Sequence, residues 1–218
     1  MRTFQNQLIY HLHDSALEAS IKRHVRGRLI DIGCGPKPYA KLLAPYVSEH
    51  VGLDHGGTLH PKNQVDLWGT AYEIPAADAS FDSALCTAVL EHLEEPEAAL
   101  RECHRVLCSG GVAIYTVPFI WHLHEEPRDF YRFSKHGLRY LFEKVGFEVL
   151  ELNALSGFWA TFGTLLSHNI NRLNRGWVRR SRVLALPTLG IVGVAYVLNR
   201  LDKAEEWTWM YLVAARKR

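Results

Sequence analysis

The sequence predicts an α/β fold: a Rossmann-like, seven-stranded, mostly parallel sheet with helices on both faces and a helical insert between strands six and seven. In the run 29–36, a short apolar strand leads directly into a turn that contains Gly33 and Gly35. Asp54 follows Gly33 by 21 residues and ends a second apolar run. Strand and helix patterns then alternate up to residue 152. A strand, a glycine turn, a helix and a second strand that ends in an acid form half of a nucleoside-binding fold.

Apolar runs between turn residues predict the strands, and 3.6-residue periodicity with end signals predicts the helices. Pro96 suits a first helical position, and we expect Gly110 to stop that helix. We expect Ser134 to cap the next helix and Gly146 to stop it. The predicted strands are 28–32, 50–53, 65–67, 81–86, 112–117, 147–152 and 210–215, and the other predicted helices are 5–25 and 39–45.

The chain of 218 residues predicts a single domain over 1–218. We expect an N-terminal helix in 1–26, a ligand-binding core in 27–152, an apolar and basic helical insert in 153–207, and a final strand and tail in 208–218. The four cysteines lack a disulfide-like spacing and the N-terminus lacks an apolar signal segment. These features predict reduced thiols and a cytoplasmic protein, with a peripheral position on the membrane as the alternative. The net charge of +2 points to no partner.

The insert has an unusual composition. Residues 152–201 contain no Asp or Glu but six Arg, and they include two long apolar runs with Trp residues in or beside them. The run 183–198 is shorter than the roughly 20 residues that span a bilayer. An anionic membrane surface contacted through 153–201 fits this pattern, and so does a lid or a subunit contact. Nucleic acid is disfavoured because the basic residues share the segment with long aliphatic runs.

Several motifs occur in a family-like order: Asp31-x-Gly33-x-Gly35, Asp54, Glu73-Ile74-Pro75, Ser80-Phe81-Asp82, and the segments 90–96 and 105–111. In these motifs the chain resembles the class I S-adenosylmethionine-dependent methyltransferases, in the type 11-like branch that modifies small molecules, lipids and sugars. The resemblance covers roughly residues 27–152 and a final strand. It implies S-adenosylmethionine as the cofactor. The cofactor-binding residues that it implies are Asp31, Gly33, Cys34, Gly35, Asp54, His55, Ala71, Tyr72, Thr87, Leu90 and His92.

Two positions depart from related patterns. Pro38 stands where the dinucleotide fingerprint has its third glycine, which disfavours a pyrophosphate on the helix N-terminus and a dinucleotide-dependent oxidoreductase. Thr70 stands where the family often has an acid that binds the adenine amine. A neutral hydroxyl makes a weaker acceptor there.

The loop after strand five is rich in histidine and aromatic residues, and loops at the carboxyl ends of parallel strands face the ligand crevice. His122 and His124 alternate, so both would point the same way from an extended loop. We expect one of them to be the catalytic base. The same spacing could hold a divalent metal with Glu125 or Asp129, but our prediction is that no metal is bound. The predicted substrate-binding residues are Trp121, Tyr131 and Arg132.

The sequence therefore predicts a methyltransferase that uses S-adenosylmethionine to modify an oxygen or nitrogen atom of a small-molecule, lipid or lipid-linked sugar acceptor. The alternative is a non-catalytic S-adenosylmethionine-binding or scaffold protein with the same fold. The sequence leaves open the identity of the acceptor and the oligomeric state.

Overall fold

The computed structural model describes residues 6–58, 60–172, 185–202 and 204–218. Its strands form one seven-stranded sheet with the order β3-β2-β1-β4-β5-β7-β6. The pairs β1–β2, β1–β4, β2–β3 and β4–β5 are parallel, as predicted. The strands are β1 Gly27–Ile32, β2 Val47–Asp54, β3 Leu67–Trp68, β4 Phe81–Thr87, β5 Leu107–Pro118, β6 Phe147–Ala154 and β7 Met210–Lys217.

The helices connect these strands, and two short 3₁₀ turns lie among them. The helices are α1 Gln7–His24, α2 Ala40–Leu43, α3 Pro96–Val106, α4 Lys135–Lys144, α5 Phe158–Arg172 and α6 Ala185–Leu201, and the 3₁₀ turns are Leu90–His92 and Glu205–Trp207. Ser134 caps α4 as predicted, because its hydroxyl accepts a hydrogen bond from the Gly137 backbone NH.

The central strand β1 fixes the place of the ligand crevice. Its residues Leu29 and Ile30 are fully buried, which fits a parallel strand that is covered on both faces. The chain goes from β1 to β2 on one side, and β4 pairs with the opposite edge of β1. The sheet order therefore reverses at β1, and a crevice is expected outside the carboxyl ends of these strands.

One predicted boundary is wrong. Gly110 was expected to stop α3, but α3 ends at Val106 and β5 begins at Leu107, five residues before the predicted start of that strand. Gly110 lies inside β5 with φ +78°, where the left-handed conformation favours glycine. The chain passes from helix to strand at Leu107, whose backbone is extended, without a glycine at the boundary.

The chain divides into two compact units. The first comprises Met1–Ala16, Phe119–Trp121 and Ala154–Met210, and the second comprises Leu17–Pro118, His122–Asn153 and Tyr211–Arg218. In the first unit, α5 packs closely on α6, and a Cβ on Gly163 would lie 2.6 Å from the Ala195 Cβ. Both predicted apolar runs of the insert thus contribute helices, whereas the basic residues 175–182 lie outside the described residues. No helix within the described ranges is long and apolar enough to cross a bilayer.

Candidate active site

A cleft of about 270 Å³ lies in the second unit at the carboxyl ends of β1, β2 and β4. Six of the predicted site residues line it: Gly33, Asp54, His55, Ala71, Tyr72 and His92. Thr70, at the expected adenine position, also lines it, and the structure adds residues that the sequence did not single out for this role: Ile32, Leu53, Gly57, Thr58, His60, Gly69, Ala88, Val89, Leu93, Glu125 and Arg128. The last two come from the loop after β5, so this loop contributes to the cleft wall.

The glycine turn after β1 brings backbone to the cleft wall. Gly33 has φ +71°, and a Cβ there would lie 2.5 Å from Val89 Cγ2. Its NH and that of Cys34 both donate to the Leu53 carbonyl, at 2.9 and 3.0 Å. A side chain at position 33 would therefore strain the backbone and clash with Val89. The missing side chain lets Val89, another residue of the cleft lining, pack directly against the turn.

Asp54 ends β2 and is buried at the cleft wall. Its Oδ2 accepts from the Gly35 NH at 3.1 Å, and its Oδ1 accepts from the His55 NH at 2.8 Å. These bonds fix the carboxylate in one orientation. Each oxygen can accept a second hydrogen bond, so the group is suited to a pair of ribose hydroxyls. These acceptor oxygens thus fit the ribose of S-adenosylmethionine.

Asp31 lies beneath this wall. It is buried, and its Oδ2 is 2.9 Å from His50 Nε2. Burial raises the pKa of Asp31 and His50 opposes that rise. Cys34 is also buried, and burial followed by the nearby Asp31 carboxylate raises its pKa to about 12. The partnership with His50 was not predicted, because His50 occupies a strand position with no motif around it.

Not all predicted cofactor residues reach the cleft wall. Among the described residues, those that lie outside its lining are Asp31, Cys34, Gly35, Thr87 and Leu90. Gly35 still contributes to the cleft indirectly, because its NH donates a hydrogen bond to the cleft-lining Asp54 carboxylate. At the predicted adenine end, the Tyr72 hydroxyl donates to Glu94 Oε2 at 3.0 Å. The Thr70 hydroxyl accepts from the Glu73 NH at 3.2 Å.

Glu91, in the 3₁₀ turn after β4, was not predicted as a site residue. Its side chain is fully buried, and neither carboxylate oxygen has a hydrogen-bond partner among the residues that the structure describes. Its backbone carbonyl accepts from the NH groups of Phe130 and Tyr131, at 2.9 and 3.2 Å. These two bonds hold the loop after β5 against the turn. Burial raises the pKa of Glu91 to about 8.

Two histidines face this carboxylate. Glu91 Oε1 lies 3.7 Å from His92 Nε2 and 3.8 Å from His124 Nε2. The two imidazole rings meet edge to face, with centroids 4.8 Å apart. Burial, followed by the neighbouring His92, lowers the pKa of His124. His92 also lines the cleft, so this cluster of Glu91, His92 and His124 adjoins it.

An ion pair braces the loop behind His124. Arg132 donates to both oxygens of Asp129, each at 2.7 Å, and also to the His122 carbonyl at 2.8 Å. Asp129 Oδ2 accepts from the His124 NH at 2.8 Å. The Arg132 guanidinium and this backbone bond hold the pKa of Asp129 well below its usual range, although partial burial opposes them. Arg132, predicted to bind substrate, is thus engaged within the protein.

The other predicted acceptor residues are placed differently. The His122 Nδ1 is 2.8 Å from the Leu123 carbonyl. The Tyr131 hydroxyl donates to the Glu94 carbonyl at 2.9 Å. Trp121 belongs to the first unit, where its ring packs edge to face against Trp209 and His168, with centroids 5.4 Å away in each case. Of the two predicted catalytic histidines, only His124 is therefore part of the Glu91 cluster.

A family model described as a methyltransferase domain matches residues 30–115, from β1 into β5. An uncharacterized protein of Methanocaldococcus jannaschii is 28% identical over 159 residues, which cover 71% of this chain and 74% of that protein. A ubiquinone biosynthesis O-methyltransferase of Xanthomonas oryzae pv. oryzae is 32% identical over 97 residues, 38% of this chain and 40% of that enzyme's length. The chain thus spans less than half of that relative.

The fold has close counterparts among solved structures. An S-adenosylmethionine-dependent methyltransferase from Mesorhizobium loti superposes with a TM-score of 0.59 at 16% identity, over 94% of this chain and 98% of that one. The sheet order, the cleft and the family match together define a Rossmann-like methyltransferase fold. Over residues 30–115 the chain matches the methyltransferase-domain family, and its fold is that of the class I S-adenosylmethionine-dependent methyltransferases that its motifs resemble.

Proposed function

We propose that this enzyme methylates an oxygen or nitrogen atom of a small-molecule, lipid or lipid-linked sugar acceptor that enters beside the Glu91 cluster. The observation that carries the proposal is the polarity of the cleft. Asp54 lies on the β2 side, where a ribose would bind, and His92 lies on the β4 side next to His124. The ubiquinone enzyme with a similar core is named as an O-methyltransferase, which favours a hydroxyl acceptor.

When bound, S-adenosylmethionine supplies an electrophilic methyl group on a sulfonium. An acceptor atom that takes up this methyl group would also have to lose its proton. The protein must align the two reactants, and alignment alone is worth roughly 7–11 kcal/mol. Gly33 and Asp54 would hold the cofactor, and Ala71 and Tyr72 would lie beside its adenine. Proton removal is the task that remains for the acceptor side.

We assign that task to the Glu91 cluster. His124 is half-buried next to the cleft-lining His92, and its lowered pKa keeps the imidazole neutral and able to accept a proton at neutral pH. Its backbone NH is held by Asp129, which Arg132 fixes in turn. A loop braced in this way positions His124 more accurately than a free loop could.

The test uses purified protein, methyl-labelled S-adenosylmethionine and two acceptor pools, a lipid extract and a polar-metabolite extract. Methyl transfer is supported if wild-type protein moves the label into a product. At limiting cofactor, Asp54→Ala should not do so. The solubility of the product separates a lipid acceptor from a small polar one. Binding of S-adenosylhomocysteine without label transfer to any acceptor in either pool would favour the non-catalytic alternative.

We also propose that the insert contacts an anionic membrane surface. Helices α5 and α6 form a groove of about 490 Å³ lined by Phe158, Trp159, Phe162, Leu166, Pro187, Ile191 and Val194, among others. Val194 and Val197 are 57% and 58% exposed. The sequence from 152 to 201 adds six Arg and no acid. Exposed apolar side chains combined with basic residues favour an anionic interface.

Vesicle sedimentation tests this contact. Each Arg near an anionic surface is worth on the order of 1 kcal/mol at low salt, so the protein should pellet with anionic vesicles and much less with neutral ones. The double variant Val194→Asp/Val197→Asp should remain in the supernatant, and Val194→Ser/Val197→Ser serves as its uncharged control. Wild-type protein that stays soluble with anionic vesicles at low salt would instead favour a lid or a subunit contact.

A further inference from the structure

Glu91, His92 and His124 present three metal-ligating atoms to one point beside the cleft. Glu91 Oε1 lies 3.7 Å from His92 Nε2 and 3.8 Å from His124 Nε2, and all three atoms lie within 4.8 Å of one another. A tetrahedral Zn²⁺ with ligands at 2.0–2.2 Å would separate them by about 3.3–3.6 Å. The two carboxylate–imidazole separations would have to shorten by a few tenths of an ångström, and the imidazole–imidazole separation, at most 4.8 Å, by up to about 1.5 Å.

The hydrogen bonds of His92 orient its ring for such a role. Its Nδ1 lies 2.5 Å from the Arg128 carbonyl oxygen, which can only accept, so Nδ1 carries the proton. In the neutral imidazole, Nε2 then points a lone pair at the Glu91 carboxylate. On the other histidine, Nδ1 lies 3.3 Å from Asp129 Oδ2 and 3.5 Å from Arg132. Metal-bound histidines typically have such an oxygen on the second ring nitrogen.

The Glu91 carboxylate supplies an independent reason. It is fully buried, and neither of its oxygens has a hydrogen-bond partner in the part of the chain that the structure describes. Acceptor atoms that face one another in a buried space repel unless a proton or a metal cation lies between them. A divalent ion at their common centre would satisfy all three.

We propose that Glu91, His92 and His124 bind one divalent first-row cation, with Zn²⁺ the best match to two imidazoles and one carboxylate. His92 lines the cleft, and Glu125, also on its wall, has Oε2 3.8 Å from His92 Nε2. A fourth coordination position would face this side. There the ion could bind an acceptor hydroxyl and lower its pKa. In that case His124 would act as a ligand of the ion and would not itself take the acceptor proton. Activation of the acceptor by the ion rests on the proposed methyl transfer, whereas binding of the ion does not.

The experiment is a calorimetric titration of Zn²⁺ into tag-free, chelator-treated protein, without cofactor or acceptor. We expect one ion per chain. Glu91→Gln retains the shape of the side chain but removes its charge, and it should weaken binding by more than about 100-fold, beyond the 10–100-fold typical of residues around the ligands. His124→Ala should do the same. His122→Ala is the matched control, because this alternate histidine lies outside the cluster, and it should bind Zn²⁺ like wild type.

Thermal melts of each variant exclude loss of the fold as the cause. Wild-type protein that binds no ion, or four proteins that bind Zn²⁺ equally, would overturn the assignment. Because the titration contains neither cofactor nor acceptor, its failure leaves methyl transfer untouched. Conversely, Zn²⁺ binding in a protein that methylates nothing would refute only the proposed activity.

Discussion

Asp54 lies where we propose that the cofactor binds (the cofactor side), and Glu91 lies where we propose that the acceptor enters (the acceptor side). Both are buried carboxylates, but their hydrogen bonding differs. Asp54 accepts hydrogen bonds from two backbone NH groups, those of Gly35 and His55. The Glu91 carboxylate faces two imidazole nitrogens at 3.7–3.8 Å and has no hydrogen bond within the described chain. The cofactor side is built by the main chain, whereas the acceptor side is built by side chains from two separate loops.

The two sides of the cleft differ in how far they distinguish this enzyme from other methyltransferases. A carboxylate that is fixed by its own strand and glycine turn, in an orientation suited to a ribose, can be shared by methyltransferases of many specificities. A buried cluster that leaves a carboxyl group without a hydrogen bond is a more individual feature. Variants on the two sides should therefore separate cofactor affinity from turnover.

The largest effect is expected for His124→Ala. Loss of the group that removes the acceptor proton, directly or through an ion, should lower turnover by about 10²–10⁴-fold. Affinity for S-adenosylhomocysteine should stay unchanged, because the Asp54 side remains intact. Steady-state kinetics and calorimetry measure the two quantities. If His122→Ala lost as much turnover and His124→Ala lost none, His122 would be the base. Full activity in His122→Ala/His124→Ala would leave alignment of the two reactants as the main source of catalysis.

Asp54→Ala should have the opposite signature. Charge-assisted hydrogen bonds contribute roughly 1.5–3 kcal/mol each, so affinity for S-adenosylhomocysteine should fall at least tenfold. Turnover at saturating cofactor should fall much less. Asp54→Asn is the control for size, since it keeps the shape and removes the charge. Unchanged affinity in Asp54→Ala would remove this carboxylate from the cofactor site.

Gly33→Ala should lower stability. The alanine would have to adopt φ +71° with its Cβ 2.5 Å from Val89 Cγ2, and a strained backbone of this kind costs about 1–3 kcal/mol. Thermal denaturation measures the loss. Gly56→Ala is the matched control, because no atom lies within 4 Å of a Cβ built there. Val89→Ala in the same chain should relieve the clash but not the backbone strain, so recovery should be partial.

Cys34 should show almost no chemical reactivity. The thiolate is the reactive form, and the pKa of about 12 leaves very little thiolate at pH 8. Mass spectrometry after brief iodoacetamide treatment should find Cys34 unmodified in native protein and alkylated in urea. Rapid alkylation in the native state would show that the glycine turn opens, and that the cofactor side is less firmly built than its hydrogen bonds indicate.

Local order along the chain made the cofactor side predictable. Gly33, Gly35 and Asp54 belong to one strand–turn–helix–strand unit, so their spacing alone brings them together at the end of the sheet. The fold class is confirmed for the same reason, because alternating strands and helices allow few arrangements. The wrong prediction that Gly110 ends α3 also has a local cause. A glycine in the left-handed conformation is equally suited to a helix end and to an irregular strand.

Only the tertiary structure revealed the acceptor side. Glu91 and His124 lie 33 residues apart, and the loop after β5 reaches Glu91 through backbone bonds from Phe130 and Tyr131. In the sequence, Glu91 is one of several acids near the start of α3. Neither periodicity nor spacing records that its side chain is buried without a hydrogen bond. The sequence determined the fold and the cofactor through contacts between neighbouring elements. The buried carboxylate and its histidines depend on how two distant loops pack, which the residue pattern does not encode.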